Sequence, residues 1–259
     1  MELADIVDLT TYPIEDPEFR ATLRQSYRRD GVLEMPGFVK ENAISSIRID
    51  GLANKDKVYA KAERHTVYLS PQDPAYGPEH PRNRLVTSSK GCLTDDQIAE
   101  TSALRTLYKS DIFRAFLCDV LEEDALYEYA DPLSSINLHF AEQGQELGWH
   151  FDNSAFAITL MIQPPEQGGS FEYVRDVRDA DAGEMSFDAV GDILEGRTPI
   201  NQLDAKAGTL VFFRGRNSIH RVAPNEGQQT RILAVLAYNT EPGISLSESA
   251  RRTFYGRTG

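Results

Sequence analysis

Three residues in two short segments have the types and spacing of a metal site. In Gly148-Trp149-His150-Phe151-Asp152-Asn153, His150 and Asp152 stand two apart, and on an extended chain residues two apart point to one side. One imidazole and one carboxylate can thus be presented to a single point. A third ligand must come from elsewhere, and His220, in Asn217-Ser218-Ile219-His220-Arg221-Val222, follows the strand-like Thr209-Leu210-Val211-Phe212-Phe213. Two imidazoles and a carboxylate on one face of an octahedron leave three positions open, and this donor set suits iron(II). Neither Cys92 nor Cys118 lies near these segments. Taken alone a His-x-Asp pair arises readily by chance, and a lone histidine is more often a hydrogen-bonded structural residue than a ligand. Arg231 shifts that balance. It lies eleven residues after His220 and opens the apolar run Arg231-Ile232-Leu233-Ala234-Val235-Leu236-Ala237-Tyr238. A guanidinium directed into the same cavity can form a forked pair with a dicarboxylate, whereas an isolated arginine there is by default a surface charge.

The elements that must position these residues begin at Pro132. From there apolar and β-branched runs come in short pieces, with strand candidates at 134–141, 155–163, 170–174, 208–213, 219–223 and 231–239. Pro164-Pro165-Glu166-Gln167-Gly168-Gly169 and Pro224-Asn225-Glu226-Gly227 mark two turns between them. Many short strands with regular turns predict a sandwich or jelly roll rather than a parallel sheet. Residues 175–207 are acidic and broken by glycines, and are expected to form an insertion with one short helix, either a lid or an ordinary solvated excursion. Upstream, residues 1–131 read as mainly helical. Asp16-Pro17-Glu18 offers a cap and a first-turn proline. Gly31 to Phe38 reads as a short strand between turns. A second helix is expected from about residue 41 towards the 55–64 region, a surface loop over 71–92, and a further helical stretch over 94–121.

The length of 259 residues fits a single catalytic domain, with a mainly helical N-terminal region over residues 1–131, a core over 132–240 and a C-terminal segment over 241–259. No apolar run approaches the roughly 20 residues needed to cross a bilayer. The acidic start Met1-Glu2-Leu3-Ala4-Asp5 lacks the layout of a signal peptide. Two cysteines make no disulfide framework, so a cytoplasmic protein is expected. The formal net charge of −13 argues against nucleic acid as a partner, because backbone binding needs phosphates neutralised by Lys and Arg.

Over residues 134–239 the chain resembles the 2-oxoglutarate/iron(II) dioxygenase superfamily. Gly144-Gln145-Glu146-Leu147-Gly148-Trp149-His150-Phe151-Asp152 is similar to the first-ligand segment of prolyl-hydroxylase-like members, and Gly31-Val32-Leu33-Glu34-Met35-Pro36-Gly37-Phe38 also looks like that superfamily. The resemblance implies a mainly β, cupin-like double-stranded β-helix (a jelly roll) with N-terminal helices packed on it. It also implies iron(II) held by His150, Asp152 and His220, 2-oxoglutarate held through its distal carboxylate by Arg231, and dioxygen as the second cosubstrate. Many such proteins carry a cosubstrate-holding tyrosine near the position of Ala141; here Asn137 and His139 share that face and are the candidates to replace it.

A closer resemblance, through Trp149-His150-Phe151-Asp152 and Phe171-Glu172-Tyr173-Val174, is to the carrier-free amino-acid halogenases and their hydroxylating relatives. The halogenases have glycine where this chain has Asp152, so hydroxylation is the expected reaction. A free amino acid is the implied substrate. Arg84 is the candidate for its carboxylate, Asn153 and Asn239 for polar contacts, and Tyr255 for closing over the site. Each has a structural alternative: surface arginine, turn asparagine or packed aromatic. The acidic insertion, with Asp176, Asp179, Asp181 and Glu184, leans towards a lysine-like substrate. Desaturation, epimerisation or cyclisation at the same centre, and a cupin-like metal-binding protein without turnover, are the alternatives, and the oligomeric state stays open.

Overall fold

The computed structural model describes residues 1–259. Its N-terminal region holds helices α1 (Leu3–Ile6), α2 (Pro17–Asp30) and α3 (Glu41–Ala53), strands β1 (Val32–Met35), β2 (Tyr59–Thr66) and β3 (Leu85–Leu93), and helices α4 (Ala103–Lys109) and α5 (Asp111–Leu121). Then come β4 (Ile136–Ala141), β5 (Leu147–His150), β6 (Ala157–Gln163), β7 (Phe171–Val174), α6 (Phe187–Leu194), β8 (Asn201–Leu203), β9 (Leu210–Phe213), β10 (Ile219–Val222), β11 (Arg231–Leu236) and α7 (Glu248–Tyr255). The signals read at the first long helix are used as expected. The Asp16 carboxylate accepts the Glu18 N–H at 2.8 Å, Pro17 opens α2, and Gly31 ends it in the left-handed region.

Two expectations need correction. The helix begun at Glu41 stops at Ala53, and residues 59–66 form a strand instead. The expected loop over 71–92 contains only a portion of loop, because residues 85–93 form the nine-residue β3. β2 and β3 pair along their whole length, from Tyr59 opposite Cys92 to Thr66 opposite Leu85. Helix-forming side chains in Tyr59-Ala60-Lys61-Ala62-Glu63-Arg64 are overridden by that ladder, as tertiary context commonly overrides propensity.

All eleven strands belong to one antiparallel sheet in the order β1-β9-β6-β11-β4-β3-β5-β10-β7-β8, with β2 on β3. β3 is where the sheet turns back on itself. One of its edges is shared, Gly91–Leu93 pairing with β4 and Ser88 with Leu147 of β5. The result is a jelly roll with a larger and a smaller wall facing each other.

Side-chain alternation divides the larger wall. Ile136, Leu138, Phe140, Ile158, Leu160, Ile162, Leu210, Phe212, Ile232, Ala234 and Leu236 face outward and join one core with residues of the N-terminal helices, including Ile44, Leu104, Phe113 and Phe116. Their sequence neighbours His139, Thr159, Met161, Val211, Phe213, Arg231, Leu233 and Val235 face inward and line a cavity of about 520 Å³. On the smaller wall, Trp149, Phe151 and Ile219 point away from the cavity and are covered by Val190 and Ile193 of α6. The one helix expected in the insertion therefore packs on the outside of the barrel. Ahead of it the chain is tied down by the Asp176 N–H on Ser218 Oγ at 3.2 Å, the Ala180 N–H on Asn217 Oδ1 at 3.0 Å and Arg178 Nε on the Arg216 carbonyl at 2.8 Å. Cys92 and Cys118 are free thiols, and no helix is long and apolar enough to cross a membrane.

Candidate metal centre

His150 ends β5 and His220 sits in β10, directly opposite it in the antiparallel register. Asp152 follows just beyond the strand, where its N–H donates to the Gly215 carbonyl at 3.0 Å. One ligand atom from each of the three residues falls within a single 4.8 Å cluster. Both rings are oriented by their own strands: His150 Nδ1 meets the Gly148 carbonyl at 2.8 Å and His220 Nδ1 the Ser218 carbonyl at 3.0 Å. Those contacts place the proton on Nδ1 and leave both Nε2 lone pairs facing Asp152 Oδ1, at 3.6 and 3.5 Å. Burial pushes the His150 pKa down to about 3, with the neighbouring His220 ring adding to the effect. Burial acts to raise Asp152, but the His220 and His150 rings and the Lys90 ammonium outweigh it and leave the carboxyl at about 2. Two imidazoles that each turn Nε2 towards the site and one carboxylate converge on one point; a divalent cation is what such a set fits.

The chain makes room for this arrangement. A Cβ on Gly215 would overlap the Asp152 carboxylate, so a glycine is required there for close approach. Phe213 and Phe171 pack on the His220 ring at centroid distances of 4.9 and 5.5 Å and fix its orientation. Behind β5, Ser88 Oγ accepts the Gly148 N–H at 3.0 Å and meets His65 Nε2 at 2.6 Å.

Arg231 lines the same cavity as the triad. It is buried, donates from Nε to the Gly169 carbonyl at 3.1 Å, and has no carboxylate within salt-bridge distance. Burial alone lowers its pKa, to about 10. Gly169, at φ +65°, turns its carbonyl to that guanidinium, and a Cβ there would press on Pro165 and on the arginine stem.

The remaining expected site residues are divided. His139 lines the cavity, and its pKa is pushed well down by burial and then by Lys90 and Arg231. Asn137 does not line it: its Nδ2 donates to the Leu133 and Ile136 carbonyls, and its Oδ1 accepts from the Tyr255 hydroxyl at 3.1 Å. Tyr255 is accordingly a core residue packed with Cys92 and Leu133, and closes over nothing. Arg84 lies on a separate surface groove, 3.7 Å from Glu195. Asn153 is exposed beside Asp152, its carbonyl accepting from Arg216. Asn239 forms a bridge with Tyr127 outside the cavity. The insertion's acidic groups act locally, Asp181 holding Arg216 at 2.6 Å and Asp179 accepting N–H groups of its own turn, and neither these nor Asp176 and Glu184 line the cavity.

Sequence reasoning missed Lys90. Its ammonium enters the cavity, lies 3.1 and 3.2 Å from the two nitrogens of His139, and has no carboxylate partner. Burial pushes its pKa down.

With the geometry in place, comparison with known proteins decides the family. The sequence profile of Halogenase D matches residues 15–253. The chain belongs to the Halogenase D family. A search of curated protein sequences finds no match. Among solved structures, the epimerase SnoN from nogalamycin biosynthesis, described as non-heme and alpha-ketoglutarate dependent, is similar with a TM-score of 0.60 and 14% identity, covering 86% of this chain and 84% of its own. A 2OG-Fe(II) oxygenase family oxidoreductase from Burkholderia pseudomallei gives 0.56 and 13%, covering 87% and 93%. HygX from Streptomyces hygroscopicus, solved with nickel, 2-oxoglutarate and hygromycin B, gives 0.54 and 12%, covering 87% and 89%. These likenesses show the jelly-roll fold.

Proposed function

We propose that the protein is an iron(II)- and 2-oxoglutarate-dependent oxygenase that hydroxylates an unactivated C–H bond of a small polar substrate, a free amino acid. The observation that carries this reading is Arg231, a buried guanidinium without a carboxylate partner in the cavity that also holds the His150–Asp152–His220 triad. An uncompensated buried cation is costly unless an anion arrives. A dicarboxylate reaching from the triad to Arg231 supplies one.

Bound iron would activate dioxygen at the expense of 2-oxoglutarate, which leaves as succinate and carbon dioxide. The chain's own residues do the rest. His150, Asp152 and His220 hold the ion by one face, and Arg231 fixes the far end of the cosubstrate. Phe171, Phe213, Met161 and Val211 keep the cavity wall apolar. Hydroxylation is favoured over halogenation because Asp152 is there: its carboxylate fills the position that the family's halogenases leave to chloride through a glycine, and Gly215 accommodates it. For the substrate carboxylate we propose Arg178 in place of Arg84. It is half-buried over the Phe151 ring at 4.1 Å, on the outer side of the smaller wall rather than in the cavity lining, and it is free of any carboxylate partner. The Asp152 side chain is 24% exposed, so the triad is reachable from that side.

The test is anaerobic. Iron(II) followed by 2-oxoglutarate is expected to give a weak visible charge-transfer band only when both are present. Aerobic incubation with an amino-acid panel should then form succinate and one product heavier by a single oxygen. Absence of the band in protein shown to bind iron would make this a metal-binding protein without the cosubstrate. A product two hydrogens lighter, or an isomer of the substrate, would replace hydroxylation by desaturation, cyclisation or epimerisation.

A further inference from the structure

Three cationic side chains without a carboxylate partner line the cavity; Lys206 is exposed at its rim, and the sheet places Lys90 in register with Arg231. Arg231 stands opposite Ala141 across the β11–β4 ladder. On the other side of β4, Gly91 stands opposite Phe140 and Cys92 opposite His139. Continuing that register by one position sets Lys90 level with Ala141. Lys90 and Arg231 therefore flank a single alanine, with strand spacing separating their Cα atoms by roughly 10 Å. Ala141 brings no more than a methyl group between them.

The tips of the two side chains serve different ends of that space. Arg231 is anchored at the Gly169 turn. Lys90 stands nearer the triad: its strand β3 lies between β4 and the His150-bearing β5, whereas Arg231 stands on β11, on the far side of β4. His139, kept neutral by burial, can accept one hydrogen bond from the ammonium, which also borders the cavity. No aspartate or glutamate lies within salt-bridge distance of the Lys90 ammonium.

We propose that Lys90 binds the carboxylate adjacent to the keto group of 2-oxoglutarate, while Arg231 binds the distal one. This rests on the oxygenase reading above and assigns one cation to each end of the dianion. Lys90 fills the space across from Arg231 that a tyrosine at position 141 would otherwise serve, but it acts on the opposite end of the cosubstrate. His139 positions Lys90 and does not itself hold the cosubstrate.

Two anions that differ only in the distal group separate the roles. 2-Oxopentanoate retains the keto acid and lacks the distal carboxylate; 2-oxoglutarate has both. Anaerobic titrations of the iron(II)-loaded protein would follow the visible band and the heat of binding. Lys90→Met is expected to weaken both ligands at least tenfold, and Arg231→Met to weaken 2-oxoglutarate strongly while leaving 2-oxopentanoate within about twofold of wild type. Lys90→Arg should restore most of the affinity, and iron affinity and near-ultraviolet circular dichroism should match wild type in all three variants. Should Lys90→Met weaken only 2-oxoglutarate, the ammonium belongs to the distal carboxylate and the assignment is overturned. Unchanged binding of both ligands overturns it as well, leaving Lys90 a structural partner of His139. Failure of the wild-type protein to bind 2-oxoglutarate at all would instead remove the oxygenase reading on which the proposal stands.

Discussion

Replacing Arg231 by methionine should make the metal-free protein more stable and the cosubstrate site nearly useless. Burial alone takes the guanidinium pKa from 12.5 to about 10. A base with a depressed pKa has its charged form disfavoured in the native state, and at pH 7 that penalty is present in full, lifting only as pH rises through 10. At about 1.4 kcal/mol per pKa unit the cost is about 3 kcal/mol. Methionine keeps the apolar stem but loses the hydrogen bond to Gly169, about 1 kcal/mol. The net expectation is a gain of about 1–2 kcal/mol, or about 2–8 °C in Tm for a chain of this size. Loss of a forked, charge-assisted pair with the distal carboxylate costs binding about 3–5 kcal/mol, raising the 2-oxoglutarate Kd by a factor of about 10² to 10³ or more. Differential scanning calorimetry of the metal-free protein at pH 7 and anaerobic titration of the visible band read the two effects. A variant that melts several degrees lower than wild type would refute the reasoning, because the guanidinium would then be holding the turn at Gly169 rather than waiting for an anion.

Asp152→Ala should abolish turnover and weaken iron binding, measured by competition with a chelator; full turnover would remove Asp152 from the ligand set. Gly215→Ala should reproduce much of that loss without touching a ligand, because the added methyl displaces the Asp152 carboxylate, and an iron Kd within twofold of wild type would contradict the close approach. The metal-free protein should lose stability as pH falls below about 6.5, because His150 and His139 stay neutral when buried while the unfolded chain takes up protons. Each histidine then costs about 1.4 kcal/mol per pH unit. Urea midpoints between pH 7.5 and 5 should show the slope, with His139→Gln making it shallower; a flat profile would refute it. Arg178→Leu should raise KM for the amino-acid substrate at least tenfold with little change in the 2-oxoglutarate Kd, and an unchanged KM would leave the substrate carboxylate elsewhere.

The triad was legible because two of its members are local, and because His220 and Arg231 lie on strands with a clear apolar signature. Arg231 could be placed from sequence since it opens such a strand. Lys90 could not. Its role depends on the β3–β4 register, and β3 itself, Leu85-Val86-Thr87-Ser88-Ser89-Lys90-Gly91-Cys92-Leu93, is too polar to announce itself beside a loop rich in proline and glycine. The β2 error has a related cause: only one side of that strand is half-covered, so its composition reads as helix. Asn137 illustrates the reverse limit. Its position two residues from His139 is correct for the cavity face, yet its amide is taken up by the Leu133 and Ile136 carbonyls and by Tyr255. Arg84 and Asn153 lie on irregular segments, where spacing carries no information about direction.

The division of the larger wall into an outward and an inward face separates what the protein can change from what it must keep. Outward residues such as Phe212, Leu160 and Ile232 interlock with helices, and truncating one opens a void in packed material, at about 2–5 kcal/mol. Inward residues such as Met161, Val211, Leu233 and Val235 already border open space, so shortening them enlarges an existing hollow. Substrate scope can therefore drift, by natural variation or by design, on alternate residues of strands whose other half holds the barrel together.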